Sequence, residues 1–266
     1  SDSFVHLHVH SEYSMLDGAA RSGDLFAGCE RMEMPAIAVT DHGNLFGAYE
    51  FYKASKKTGV KPIIGIEAYV TPKTHRSERK RVRWGEPHQK DDDISGGGAF
   101  THMTLWAEST AGMHNLFRMG SLASLEGYFY KPRMDRELLN TYHQGLIATT
   151  GCPSGEVQTY LRLGKYDEAI ASAAEFRDIF GHENYYVELM DHGLSIENRV
   201  RDDLLKIAKE LKLPLVATND LHYAHREDAS AHEVLLCVQS GSTMADTNRF
   251  KFDGDGYYLK SPAEMR

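Results

Sequence analysis

The chain predicts one mixed α/β domain, a distorted seven-stranded (β/α)7 TIM-like barrel with a metal centre at its C-terminal rim. Two observations carry this expectation. Short apolar, β-branched runs alternate with segments of helical period, the signature of strand–helix units; seven such runs favour a barrel over an open sheet, a choice that periodicity alone leaves open. Beside these runs stand nine side chains able to bind metal, scattered over residues 8–222: His8, His10, Asp17, His42, Glu67, His102, Cys152, Asp220 and His222. A parallel barrel gathers scattered strand ends at one face, where such folds keep their active sites. Zinc takes about four ligands, so nine point to a multi-metal hydrolytic site.

The expected strands are residues 4–9, 36–40, 63–69, 103–107, 146–150, 185–189 and 215–218. Alternation in the first places His6, His8 and His10 on one face, with His8 and His10 as a two-ligand clamp and His6 a layer below. A lone H-x-H would otherwise be a wet strand face. The second run exits into Asp41-His42-Gly43, where glycine permits a sharp turn. Glu67 is embedded in IIGIEAYV; an unpaired buried carboxylate is expensive, which favours a ligand. His102 precedes its apolar run, and pattern alone leaves it undecided. Cys152 follows LIATTG, although a buried cysteine by itself is usually a small hydrophobe. His192 follows YVELMD, as a phosphate contact, or as a surface histidine or one that supports the ligands from behind. Asp220-Leu221-His222 follows LVATN with both donors on one face.

Helical period marks residues 24–32, 46–57, 113–125, 166–180 and 196–211, with shorter segments at 137–142 and 155–163. Residues 71–98 break the rhythm as a long basic, acidic and then glycine-rich insertion loop. Its 73–83 stretch has six Lys/Arg against one Glu, a local +5 that leaves −13 on the rest of a chain of net charge −8. Lys73, Arg76, Arg79, Lys80, Arg81 and Arg83 are candidate DNA contacts, with Trp84 for base stacking; a solvated loop is the plainer alternative. The barrel is expected over 1–239 and a connecting arm over 240–266, where FKFDGDGYYLK suggests a turn between short strands. Ser261-Pro262-Ala263-Glu264 has the form of a helix start, which suggests a domain cut from a longer protein. Three dispersed cysteines fit a reducing cytoplasm, and no apolar run is long enough to span a membrane. His75, His88, His114, His143, His182, His225 and His232 are expected mostly at the surface.

The string His6 to Gly18 (HLHVHSEYSMLDG), with TDHGN at 40–44, GCPSG at 151–155, ATNDLHY at 217–223 and KFDGDGYY at 251–258, resembles the polymerase and histidinol phosphatase (PHP) domain. The similarity covers essentially the whole chain and is closest to the form carried by bacterial replicative polymerase III alpha subunits. The resemblance implies a trinuclear centre of divalent ions, zinc first and manganese or iron as alternatives. One ion would take His8, His10, Glu67 and Asp220; a second Asp17, His42 and His222; Glu67 would bridge to a third with His102 and Cys152. It further implies a 3′→5′ proofreading exonuclease acting on a primer 3′ end, in cis with the remainder of the polymerase and beside other replisome subunits. A phosphomonoesterase and a metal-stapled structural or docking module are the alternatives.

Overall fold

The computed structural model describes residues 3–86 and 95–266, so the acidic triplet Asp91-Asp92-Asp93 and His88 lie outside the described residues. In chain order the elements are α1 (Ser22–Arg31), β1 (Ala36–Val39), α2 (Ala48–Ser55), β2 (Lys61–Val70), β3 (Thr101–Ala107), α3 (Thr110–Glu126), β4 (Arg133–Met134), α4 (Arg136–Tyr142), β5 (Leu146–Thr149), α5 (Glu156–Arg162), α6 (Tyr166–Phe180), β6 (Tyr185–Leu189), α7 (Ser195–Leu211), β7 (Leu215–Ala217) and α8 (Ala229–Ser240). The fold is mixed α/β with seven named strands. Two compact units divide it, Ser1–Ile64 with Thr218–Arg266, and Gly65–Ala217.

In the first unit β1 runs parallel to the opening residues of β2, from Ala36 beside Lys61 to Val39 beside Ile64. The expected strand at 4–9 carries no strand assignment, yet its backbone is bonded on both sides. Ala38 and Thr40 donate to the carbonyls of His6 and Val9 at 2.9 and 2.8 Å, while His10 donates to Leu221 and Leu221 donates to His8 at 2.7 and 3.0 Å. Side-chain alternation therefore survives, and Val9 enters a core with Leu25, Phe26, Ile37, Phe51 and Leu221. The 240–266 segment packs in this unit. Tyr257 and Leu259 are buried, and Leu259 lies so close to Gly28 that a Cβ there would come within 2.5 Å of it. FKFDGDGYYLK forms a turn at Gly254 without the expected strands. Its backbone oxygens and amides serve residues 222–224 instead. The reciprocal bonds of the predicted capping box are present, Ser261 N to Glu264 Oε2 at 2.8 Å and Glu264 N to Ser261 Oγ at 3.3 Å.

In the second unit β4 runs parallel to β2, and β5, β6 and β7 pair parallel in sequence order. β3 is the exception to the parallel expectation, running antiparallel to both β2 and β5. The connection from β2 to β3 is the 71–98 insertion, which has no α-helix among the described residues. Without a crossover helix the chain is free to return in the opposite direction. The two-residue β4 is too short to leave a periodic signal, and α8 escaped because Val234 to Val238 are apolar in succession.

Part of the insertion serves the fold. Arg133 is fully buried and donates to four carbonyls, those of Gly127, Ala99, Arg76 and Glu78, at 2.8–3.2 Å. Arg76 lies among Glu126, Asp135 and Glu137 at 2.6, 3.2 and 3.3 Å. Trp84 is buried against Tyr160 with ring centres 4.8 Å apart, which removes it as an exposed stacking surface. An Arg133→Met variant would take the guanidinium from four carbonyl acceptors, of which Gly127 alone keeps a bond from the residue 133 amide. Since a buried unsatisfied group costs about 1–3 kcal/mol, a loss of about 3 kcal/mol or more is expected, read as a lower urea midpoint at unchanged slope.

Candidate metal centre

All nine expected ligands fall into two clusters, six in the first unit and three in the second. In the first, the 4–10 segment presents His8 and His10 from the same side. Their Nε2 atoms lie 3.3 and 3.0 Å from Asp220 Oδ1. Asp17 faces two imidazoles, with His42 Nε2 at 2.9 Å from Oδ2 and His222 Nε2 at 3.0 Å from Oδ1. The His10 ring is stacked between those of His42 and His222, at 4.3 and 4.2 Å. Donor atoms bound at about 2.0–2.1 Å around a tetrahedral ion sit about 3.3 Å apart, close to the spacings found here.

The tautomer of His222 sharpens this fit. Its Nδ1 donates to the carbonyl of Asp220 at 2.7 Å, so a neutral ring turns the lone pair of Nε2 toward Asp17. That nitrogen and Asp17 Oδ1 are buried and lack hydrogen-bond geometry despite their closeness. In the neutral form two lone pairs face each other and call for positive charge between them, supplied by a proton on Nε2 or by a metal ion. Burial works to raise the Asp17 carboxyl, yet His222 and His42 hold it well below the usual carboxylate range. Burial likewise works to lower His222, and Asp17 and Asp220 outweigh it and raise the ring. Asp220 adopts φ +47°, a left-handed backbone that non-glycine residues rarely take and that clusters at functional sites.

Neighbours the sequence did not single out position this cluster. Asp41 is buried and accepts from the amide and hydroxyl of Ser11 at 2.7 and 2.8 Å; burial raises its carboxyl despite those bonds. Ser14 Oγ lies 2.9 Å from His10 Nδ1 and accepts from the His42 amide at 3.0 Å. His232, expected at the surface, is buried and donates to the Asp17 carbonyl at 2.7 Å. Its place four residues before Leu236 on the buried face of α8 was the available signal. His6 lies below the ligand layer as expected and donates to the Lys260 carbonyl at 2.8 Å.

The second cluster is a triangle. His102 Nδ1 and Cys152 Sγ lie 3.0 and 3.2 Å from Glu67 Oε1, and 3.6 Å from each other. The antiparallel pairing of β2 with β3 explains why His102 precedes its run. Glu67 faces Thr104 and Tyr69 faces His102, so Glu67 and His102 are diagonal neighbours on one face. In an antiparallel strand it is the beginning, and not the end, that meets the neighbouring carboxylate. Cys152 arrives through Gly151 at φ +83°, where a Cβ would come 2.9 Å from the His102 carbonyl. Close by, Glu188 is buried and accepts from Thr104 and Thr149 at 3.1 and 2.5 Å.

The expected substrate contacts divide by exposure. The His192 side chain is covered, with Nδ1 2.5 Å from Glu197 Oε1 and the backbone amide bonded to the same carboxylate, a clamp at the start of α7. Arg76 is buried among its acids. Lys80 pairs with Glu78, Arg81 lies over the Tyr130 ring and Lys73 over Tyr160, while Arg79 and Arg83 complete the outward set.

The model of the family described as the PHP domain matches residues 6–192. The chain is 62% identical to DNA polymerase III subunit alpha of Saccharopolyspora erythraea, with 100% of this chain and 23% of that protein covered. It is 60% identical to the protein of that name from Mycobacterium leprae, covering 99% and 22%, and 45% identical to that of Thermus aquaticus, covering 99% and 21%. The chain thus spans about a fifth of the length of these curated relatives.

His6 and His232 give a pH dependence of definite sign. Burial holds both imidazoles down at about 4, with His222 reinforcing the effect on His232. Stability from such depressed groups is complete above the ordinary histidine value of about 6.5 and is lost as pH falls toward 4. In metal-free buffer these two groups work to lower the urea midpoint between about pH 7 and pH 5, against the opposite contribution of the raised His222, so a variant lacking both isolates their part. A His6→Gln/His232→Gln variant should be weaker at pH 7 and lose less over that interval.

Proposed function

Because the chain belongs to the PHP domain family, we propose that it is a metal-dependent phosphodiesterase, the 3′→5′ exonuclease region of a replicative DNA polymerase III alpha subunit. The observation that carries this reading is the donor set itself. Every one of His8, His10, Asp17, His42, Asp220 and His222 in one unit, and of Glu67, His102 and Cys152 in the other, stands within a cluster of mixed imidazole, carboxylate and thiol. A purely structural zinc site needs about four ligands; nine go well beyond that. The relatives' name supplies the polymer on which such a site would act, and the share of them that this chain spans leaves the polymerase activity to the rest of the protein.

Imidazole with carboxylate and one thiolate suits Zn²⁺, with Mn²⁺ and Fe²⁺ as alternatives. Clustered divalent ions lower the pKa of water and neutralise charge on a phosphodiester. The chain's own residues hold the geometry for this. The Asp220 carbonyl fixes the His222 tautomer, Ser14 positions His10 and the turn bearing His42, and His232 anchors the backbone of Asp17. Contacts to the DNA backbone are proposed for Lys73, Arg79, Lys80, Arg81 and Arg83, while Arg76 and His192 hold the fold that presents them.

Metal analysis of the purified chain should find two to three ions. A primer with a 3′-terminal mismatch and label should shorten stepwise, with chelator stopping the reaction. A Glu67→Ala/Asp220→Ala variant that stays folded should be slower by at least two orders of magnitude. Equal rates for the variant and its parent would sink the exonuclease reading. Bound metal that raises Tm with no nucleotide release under any metal would favour a structural or docking module. Turnover of a small phosphomonoester without action on oligonucleotides would favour a phosphatase.

A further inference from the structure

We infer that Phe46 and the outward face of α2 form a stacking platform for the unpaired bases of a single-stranded nucleic acid. The purpose of such a platform rests on the phosphodiesterase reading of the neighbouring cluster; its evidence lies on the surface of the first unit.

Tyr49 stands three and four residues before Tyr52 and Lys53, and Lys56, at the C-cap, stands three and four after Lys53 and Tyr52, so the four share one stripe. The opposite stripe, Ala48, Phe51 and Ser55, is buried. The helix is therefore held by its back, and core packing does not call for aromatic rings on its front. Yet Phe46, Tyr49 and Tyr52 are 73%, 71% and 46% exposed. A single exposed ring is ordinary; a row of three is not.

The charge on this face has the sign a phosphate backbone needs. Lys53 and Lys56 place their ammonium groups 5.0 and 4.5 Å from the Tyr49 and Tyr52 ring centres, and Lys57 follows on a chain of net charge −8. The acid of the helix, Glu50, accepts from the Tyr13 hydroxyl. A protein-docking face of this size would be depleted of charge at its centre. Rings interleaved with lysines are instead the pattern that tracks a backbone and stacks successive bases.

Asn44 ties this face to the metal cluster. Its side-chain amide donates to the carbonyls of His42 and Tyr13 at 3.1 and 3.0 Å, and its Oδ1 accepts from the Phe46 amide at 3.1 Å. Phe46 is four positions on from His42, at most about 14 Å of chain, so one short strand spans both, a base on Phe46 and a phosphate at the cluster.

The test compares two oligomers of equal length and backbone on the metal-loaded chain, one of deoxythymidine and one abasic, both with 3′-terminal phosphorothioate linkages that resist hydrolysis. By fluorescence anisotropy the parent should bind the base-bearing oligomer about tenfold more tightly. Phe46→Ala/Tyr49→Ala should lose that preference while still binding the abasic oligomer. Lys53→Gln/Lys56→Gln should weaken both and flatten the salt dependence. Should the alanine variant melt early, Phe46→Leu/Tyr49→Leu keeps the bulk and removes the aromatic faces. No preference in the parent, or its survival in these variants, would overturn the platform and leave the face to a protein partner. Preference lost as expected, in a chain that degrades no unmodified oligomer, would keep the platform and remove the exonuclease reading alone.

Discussion

Carboxylates held away from water set the terms for both donor clusters. Glu67 in one unit is buried and Asp17 and Asp220 in the other are half-buried, a setting in which an uncompensated charge is costly. The chain sets two imidazoles against each of Asp17 and Asp220 and one against Glu67, at 2.9–3.3 Å. The resulting demand for positive charge is the electrostatic form of metal affinity. It also explains the second ring of interactions, because a histidine is useful as a ligand only when its other nitrogen is fixed. His222 meets that condition through the Asp220 carbonyl, and the unusual backbone of Asp220 is what turns the carbonyl and the carboxylate of one residue toward neighbouring ends of the cluster.

Legibility in the sequence follows from how local each signal is. Tyr166–Phe180 and Ser195–Leu211 match their periodic segments almost to the residue. His8, His10 and Asp220-Leu221-His222 could be read because an i, i+2 spacing puts both donors on one face wherever the backbone is extended. The direction of β3 could not be read, since apolar alternation is the same forwards and backwards. That missing direction is the whole reason His102 looked misplaced. Asp41, Ser14 and His232 were invisible for a related cause. Asp41 holds Ser11 from 30 positions away, Ser14 the His42 amide from 28 and His232 the Asp17 carbonyl from 215, and only the contact of Ser14 with His10 is local.

Positive charge shows the same limit from the other side. By composition the strongest basic run is 73–83, and it invites a nucleic-acid reading. Within it, Arg76 closes an ion-pair knot and its carbonyl anchors the buried Arg133, so part of that run is internal structure. On α2 the lysines are fewer and the sequence gives them no emphasis, yet they stand outward beside exposed rings. A guanidinium with a planar fork of donors suits carbonyl and carboxylate partners inside a protein, and an ammonium on a flexible stem suits solvent and mobile phosphate. Arg76 inside the insertion and the lysines on the face of α2 follow that difference, while Arg79, Arg81 and Arg83 stay outward. What a cluster of cations does is therefore decided by which of its members the fold has already neutralised, a property of the tertiary structure and not of the charge count.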